Sequence, residues 1–178
     1  MGSHRAAVRY AKSVIELAQE QKSLEKIKED MLLFTKTIDE NRELEVVLKN
    51  PIVPADKKKA ILKALFEKRI QPLTFKAFEL IVSKNRESIL DEIAVEFVNE
   101  YNVLKGISVA TVTTPYTLDE KQRKEISKIV ADITGMKVEL TEIVDESLIG
   151  GFVLKIGDKQ IDESVKSKLA NIQRALVA

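Results

Sequence analysis

The hydrophobic period of the chain changes at residues 107–115, which read ISVATVTTP. Here β-branched residues alternate along the chain with the period of two that is typical of a β-strand, and Pro115 ends the run. Before this stretch, apolar residues recur every three or four positions, as they do in amphipathic helices. The sequence therefore predicts two domains of different class, one over residues 1–105 and one over residues 106–178.

Six helical segments are predicted in the first domain. Asn50 is expected to end the third, because a residue that precedes proline is pushed out of the helical region, and Pro72 is expected to begin the fifth. Six short amphipathic helices joined by brief turns imply a compact bundle. Residues 1–4, Met-Gly-Ser-His, resemble an expression-tag remnant and are excluded from the fold prediction.

The second domain is predicted to have the order β-α-β-β-β-α. Thr117 and Glu120 fit a capping box at the start of the helix that follows the first strand, and Gly135 fits a left-handed C-cap at its end. The remaining strands are predicted at residues 137–144, 148–156 and 159–162, with Gly157-Asp158 as a hairpin turn. The predicted class is α+β: a six-helix bundle followed by a small α/β domain with a mixed sheet and two helices.

Composition limits the chemistry that the chain could perform. Its 178 residues include no Cys and one His, which leaves almost no material for a thiolate zinc site or a Ser-His-Asp triad. The 29 basic and 28 acidic residues balance, and Lys57-Lys58-Lys59, the only basic run, is expected to be solvated, so no nucleic-acid partner is predicted. No apolar run reaches the roughly 18 residues of a membrane-spanning helix, so no direct membrane insertion is predicted.

Motifs for catalysis are likewise missing from the sequence. It contains no phosphate-binding P-loop, and Gly150-Gly151 is better explained by a strand bulge or a close backbone approach. Asp145, Asp158 and Asp162 lack the spacing of a calcium-binding loop. No catalytic, cofactor-binding or metal-binding residue is assigned.

The fifth helix, residues 73–84, is apolar nearly all round. Such a helix is either central in a core or has a second partner. The first helix has a similarly broad apolar face, and two such helices side by side would form a groove for a helix of another protein. The residues alone leave both interpretations open.

Short motifs spread along the chain carry a resemblance to a known family. They are Arg9-Tyr10-Ala11-Lys12, Glu16-Leu17-Ala18, Asn50-Pro51, Asn85-Arg86, Val112-Thr113-Thr114 with Leu118, Leu148-Ile149-Gly150-Gly151-Phe152, Ile156-Gly157-Asp158, Ile161-Asp162, Ser164-Val165 and Leu169. On these residues the chain resembles the delta subunit of the F-type ATP synthase, whose family includes the mitochondrial oligomycin-sensitivity-conferring protein. It departs at Glu163, where the family usually has Gly, and at Lys166 and Lys168, where it usually has Arg. Because Glu tolerates a left-handed backbone less well than Gly, a different turn is expected at residue 163.

The resemblance implies a non-catalytic stator subunit, present in one copy per synthase and without a cofactor. In that family, the helical bundle binds the amino-terminal helices of the alpha subunits, in part through a groove between the first and fifth helices. The carboxy-terminal domain holds the ends of the b subunits of the peripheral stalk, so that rotation of the central stalk drives catalysis instead of turning the head. The implied location is the cytoplasmic face of a bacterial inner membrane.

Given that implication, the groove interpretation is preferred for the fifth helix. The predicted apolar lining comprises Tyr10, Val14, Phe75, Phe78 and Val82. Arg9 and Lys12 are predicted at the rim, where charges affect register and association rate more than affinity. Residues predicted to have an architectural role are Gly150, Gly151, Gly157 and Asp158.

Two other classes of function are compatible with the residues alone. One is a generic helical adaptor whose groove accepts the amphipathic helix of another partner. The other is an enzyme that uses carboxylates only, for which no pair among the 28 acidic residues is singled out.

Overall fold

The first hundred residues form helices, in agreement with their period of three to four. The computed structural model describes residues 2–157 and 159–177. Its first helices are α1 (Gly2–Glu20), α2 (Leu24–Glu40), α3 (Arg42–Lys49), α4 (Ala55–Phe66), α5 (Pro72–Ser83) and α6 (Leu90–Lys105), with a short 3-10 turn at Glu87–Ile89 before α6. As predicted, α3 ends at Asn50, whose backbone is extended, and α5 begins at Pro72.

The chain divides into two compact units, Met1–Tyr101 and Asn102–Ala178, here the helical unit and the sheet unit. The division falls inside α6, and the boundary predicted at Lys105-Gly106 lies at the carboxyl end of the same helix. Residues 2–4, for which no fold was predicted, belong to α1.

The core of the helical unit is built around three phenylalanines. Phe34 of α2 is fully buried, and its ring centroid lies 4.6 Å from that of Phe78 on α5 and 5.2 Å from that of Phe66 on α4. Tilted aromatic rings at this separation attract one another, and this attraction adds to the stabilisation that comes from burying the three side chains. This cluster fixes which side of α5 faces inward.

Lys58 corrects the prediction that the basic run is solvated. Its side chain is 1% exposed, and its ammonium donates hydrogen bonds to the carbonyl oxygen of Leu48 at 2.9 Å and to Glu87 Oε1 at 2.7 Å. A buried ammonium without such partners would be strongly unfavourable, so this site holds Lys58 only because both acceptors meet there. Lys57 next to it is exposed.

The sheet unit has the predicted order of elements. It contains β1 (Ile107–Thr114), α7 (Glu120–Thr134), β2 (Lys137–Val144), β3 (Val153–Ile156), β4 (Lys159–Asp162) and α8 (Val165–Val177). The strands form one mixed sheet in the order β2-β1-β3-β4, in which β1 pairs parallel with β2 and antiparallel with β3. The β1-α7-β2 crossover covers one face of this sheet. The core between them contains the buried residues Ala110, Val112, Ile126, Val130 and Leu154.

Two local predictions in the sheet unit were wrong. The capping box of α7 uses Asp119 and Gln122 in place of Thr117 and Glu120: Asp119 Oδ1 accepts from Gln122 N at 2.7 Å, and Gln122 Oε1 accepts from Asp119 N at 3.0 Å. The helix therefore starts two residues later than predicted. Gly135 does adopt the predicted left-handed C-cap, with φ of 67°.

The third strand is also shorter than predicted, because it begins at Val153 and not at residue 148. Gly151 has φ of 79°, and such a backbone cannot continue a strand ladder. Residues 148–152 form bends and turns that lead into β3.

Candidate functional site

A groove runs between α1 and α5 on the helical unit. It encloses about 180 Å³. It is lined by Tyr10, Ser13, Val14 and Leu17 from α1 and by Leu73, Lys76, Ala77, Leu80 and Ile81 from α5. The α1 residues are spaced by three and four positions, so they lie on one face of the helix over about 10 Å of its length. The groove therefore suits about two turns of a third helix.

Burial separates the floor of the groove from its edges. Val14 and Ile81 form the floor and are 6% and 2% exposed, whereas Leu17 and Leu80 are 45% and 54% exposed. Two large leucines facing water across an apolar floor leave hydrophobic area that a partner could cover. A groove of this kind matches the recognition mode in which an amphipathic helix inserts its apolar face.

The structure places the residues predicted on α1 at this groove and those predicted on α5 away from it. Tyr10 and Val14 line the groove. Phe78 and Val82 are 1% and 0% exposed because they lie on the opposite side of α5, which packs on the core around Phe34. Phe75 is half-buried and is not among the lining residues.

Neither residue predicted at the rim is among the lining residues of the groove. Lys12 lies on the side of α1 away from the groove, with its ammonium 3.4 Å from Glu100 Oε1 of α6. Arg9 is exposed and is not among the lining residues. Among the described lining residues, the cation is Lys76 of α5, which was not among the predicted residues.

A signal for the missed residues was present in the sequence. One stripe of α5 has spacings of four, three and one and consists of Leu73, Ala77, Leu80 and Ile81. A second stripe contains Phe78 and Val82. Burying a phenylalanine removes more apolar area from water than burying an alanine or half-covering a leucine. The stripe that carries the larger aromatic residue is therefore the one to place in the core.

A buried carboxylate on α2 positions the amino terminus of α5. Asp30 is 6% exposed, and its Oδ2 accepts from Gln71 N at 2.8 Å and from Thr74 Oγ1 at 2.5 Å. Burial raises the pKa of Asp30 above its ordinary value, although the two hydrogen bonds act in the opposite direction. Since one wall of the groove is α5, this bond network helps to set the groove's geometry.

The glycines predicted to be architectural lie in bends and turns of the sheet unit. A Cβ on Gly151 would collide with the backbone oxygen of Glu163 and would stand 2.9 Å from Ser164 Cα, so residue 151 is the close approach that the sequence indicated. Gly150 accepts a backbone hydrogen bond from Val165 at 3.0 Å. Gly157, with φ of 55°, follows β3, and Asp158 lies outside the described residues.

The backbone at Glu163 is not left-handed, although the family usually has Gly at this position. Positive φ among the described non-glycine residues occurs at Lys22 and Asn85. The turn into α8 is instead held by Asp162, whose oxygens accept from Ser164 N at 2.9 Å and from Ser167 Oγ at 2.6 Å. Hydrogen bonds from Ser167 and Ser164 hold the pKa of Asp162 below its ordinary value.

Neither a metal-binding cluster nor a membrane-spanning helix is found among the described residues. Their His, Asp and Glu side chains form no group of three or more that could hold a metal ion. Among the described helices, none combines the length and the apolar character needed to cross a bilayer.

Comparisons with known proteins agree on one family. A family model described as "ATP synthase delta (OSCP) subunit" matches residues 6–176. The chain is 43% identical over 173 residues to the ATP synthase subunit delta of Cytophaga hutchinsonii. The aligned region covers 97% of this chain and 94% of that relative. It is 41% identical over 172 residues to the ATP synthase subunit delta of Desulforamulus reducens, with 97% and 95% covered.

One solved structure is similar over the full length of the chain. A chain in the cryo-EM structure of the Toxoplasma gondii mitochondrial ATP synthase hexamer has a TM-score of 0.74 and 24% identity, with 97% of each chain covered. At this level of identity, the likeness concerns the fold alone.

Proposed function

Because this chain belongs to the ATP synthase delta (OSCP) subunit family, we propose that its helical unit binds the amino-terminal helices of the alpha subunits and its sheet unit the ends of the b subunits. Membership of the family makes the chain a peripheral-stalk subunit of the F-type ATP synthase with no active site of its own. It thereby takes part in ATP synthesis coupled to proton transport. A stator of this kind keeps the catalytic head from turning with the central stalk.

The groove between α1 and α5 is the observation that supports the alpha-subunit part of the proposal. Its edges, Leu17 and Leu80, are half-exposed leucines on a unit whose other large apolar side chains mostly pack in the core. An amphipathic helix would cover both leucines and fill the space above Val14 and Ile81. Covering this area would supply a hydrophobic driving force for binding.

The same proposal includes the arrangement of the subunit in the synthase. The helical unit acts as a six-helix bundle on the head, and the sheet unit, from the end of α6 onward, acts on the stalk. One copy serves each complex, which is attached peripherally at the cytoplasmic face of a bacterial inner membrane. Membership of the family supports this arrangement.

Calorimetric titration with a synthetic peptide of the first ~20–25 residues of the alpha subunit tests the proposal, since a peptide of that length can form several helical turns. We expect micromolar or tighter binding with a negative change in heat capacity, the mark of buried apolar surface. Absence of binding to the folded chain would overturn the groove proposal and favour an adaptor for the helix of another protein.

A pair of variants shows whether the peptide occupies this groove. Leu80→Asp introduces a charge at an exposed groove position and is expected to weaken binding by at least about tenfold, because a carboxylate would have to be desolvated. Leu32→Asp is the matched control, since Leu32 is 46% exposed on α2 and does not line the groove. Equal affinities for the two variants would mean that the peptide binds elsewhere.

The b-subunit part of the proposal has a separate test. A soluble fragment of the b subunits is expected to co-elute with the full chain in size-exclusion chromatography. Because the sheet unit carries this contact in the proposal, co-elution should survive Leu80→Asp. Loss of co-elution in that variant would contradict the assignment of the two partners to two units.

A further inference from the structure

The groove between α1 and α5 contains one charged lining residue among those that the structure describes, Lys76. Two other lining residues have polar atoms. Ser13 Oγ donates to Arg9 O of its own helix at 3.1 Å, so its hydrogen is already used, and Tyr10 carries a hydroxyl. The charge character of the groove therefore depends on the ammonium of Lys76.

Within the described part of the chain, the side chain of Lys76 makes no ion pair and no hydrogen bond. Some other exposed lysines of the helical unit do have a carboxylate partner: Lys12 pairs with Glu100, and Lys63 with Glu67. The side chain of Lys76 is exposed, so its aliphatic stem can lie along the apolar wall while its ammonium stays at the mouth of the groove.

We propose that Lys76 is a specificity-determining residue of the groove, which selects an amphipathic helix bearing an acidic residue beside its apolar stripe. This inference rests on the proposed function, since it concerns the helix that the groove accepts. When a helix is seated over Leu80 and Ile81, it removes water from around Lys76. An ammonium that loses water without gaining a partner is unfavourable, whereas an adjacent carboxylate offsets that loss.

The selection works mainly by rejection. A helix with a basic residue at the flank would bring two like charges together in a region of reduced water. Their repulsion is stronger there than between two fully solvated charges, so the groove rejects such a helix. The apolar stripe supplies affinity to any amphipathic helix. Lys76 adds the choice among such helices and the register in which they lie.

The test is a titration of the full chain with the peptide of the first ~20–25 alpha-subunit residues and with variants of that peptide. In the variants, each acidic residue is replaced in turn by Gln or by Lys. Lys76→Met, which keeps an apolar stem of similar length, is expected to weaken binding of the unmodified peptide roughly two- to fivefold at low salt. Lys76→Glu is expected to weaken it further, and the difference from the parent chain should shrink as salt rises.

A charge swap distinguishes a direct pair from a general effect of charge. One peptide in which a single acidic residue is replaced by Lys should bind Lys76→Glu more tightly than it binds the parent chain. Lys26→Glu, at an exposed position on α2, is the control because it changes the net charge by the same amount. It should leave the affinity of the unmodified peptide unchanged.

The possible outcomes separate this inference from the proposed function. If Lys76→Met and Lys76→Glu bind the unmodified peptide as the parent chain does, or if Lys26→Glu has the same effect as Lys76→Glu, Lys76 is not the determinant and the groove proposal stands. If no peptide variant restores binding to Lys76→Glu, the pairing is likewise overturned. If the parent chain binds no peptide at all, the proposed function and this inference both fall.

Discussion

Lys58 Nζ lies 2.7 Å from Glu87 Oε1, although the lysine side chain is 1% exposed and the glutamate side chain 12% exposed. The same ammonium donates to Leu48 O at 2.9 Å. One side chain therefore joins the end of α3, the first turns of α4 and the 3-10 turn before α6. Lys57, its neighbour in sequence, is exposed and offers a matched comparison.

Lys58→Met is expected to lower the free energy of unfolding by about 3 kcal/mol, because it leaves the carboxylate of Glu87 largely buried without its partner. Urea unfolding followed by circular dichroism measures the change. Lys57→Met should stay within about 0.5 kcal/mol of the parent chain. Equal effects of the two substitutions would contradict the buried pair, and the double variant with Glu87→Leu should recover part of the loss.

Asp30 is expected to make stability fall with rising pH. Its pKa is raised in the folded chain, so below its ordinary value of 3.8 both states are protonated and no penalty exists. As pH rises, the unfolded state releases the proton first, and the folded state loses relative stability until its own raised pKa is passed. The free energy of unfolding of the parent chain minus that of Asp30→Asn should therefore decrease from about pH 4 upward.

Thermal or urea unfolding of both proteins across that range checks the sign. Asparagine keeps an oxygen that can accept from Gln71 N, so the comparison isolates the titration from the loss of the bond. Glu20→Gln, at an exposed position on α1, is the control and should show no such decrease. A difference that grows with pH would refute the raised pKa of Asp30.

Gly151→Ala is expected to cost about 3 kcal/mol, from a left-handed backbone together with the clash of its Cβ against Glu163 and Ser164. Gly135→Ala provides the comparison, because Gly135 has φ of 67° but no atom within 4 Å of an added Cβ. It should cost about 1 kcal/mol, for the backbone alone. Urea unfolding gives both values, and similar costs would mean that the space around Gly151 is not limiting.

Asp119→Ala is expected to destabilise the chain by about 1 kcal/mol, because it removes the acceptor for Gln122 N at the first turn of α7. Thr117→Ala should have an effect of less than about 0.5 kcal/mol, since Thr117 is exposed and precedes the capping residue. Thermal unfolding measures both. A larger loss of stability for Thr117→Ala than for Asp119→Ala would instead support the capping box predicted from the sequence, which uses Thr117 and Glu120.

The error at α7 shows the limit of local patterns. Two overlapping capping signatures occur in residues 117–122, which read TLDEKQ. Both satisfy the rule for residue types and spacing. Leu118 packs against the core of the sheet unit. Because Leu118 packs there before the helix begins, Asp119 becomes the N-cap. Which of the two signatures forms the cap therefore depends on contacts with residues distant in the sequence.

The sequence by itself determined the family, the order of the elements and, for β1, β2 and β4, their ends. These properties follow from local periodicity and from turn residues such as Pro72 and Gly135, whose backbone preferences act within a few positions. Tertiary structure alone decided which stripe of α5 lines the groove, that Lys58 is buried while Lys57 is not, and that Gly151 meets Glu163. Each of these depends on which distant segment comes to lie against a residue, and the period of a helix shows only which residues share a face.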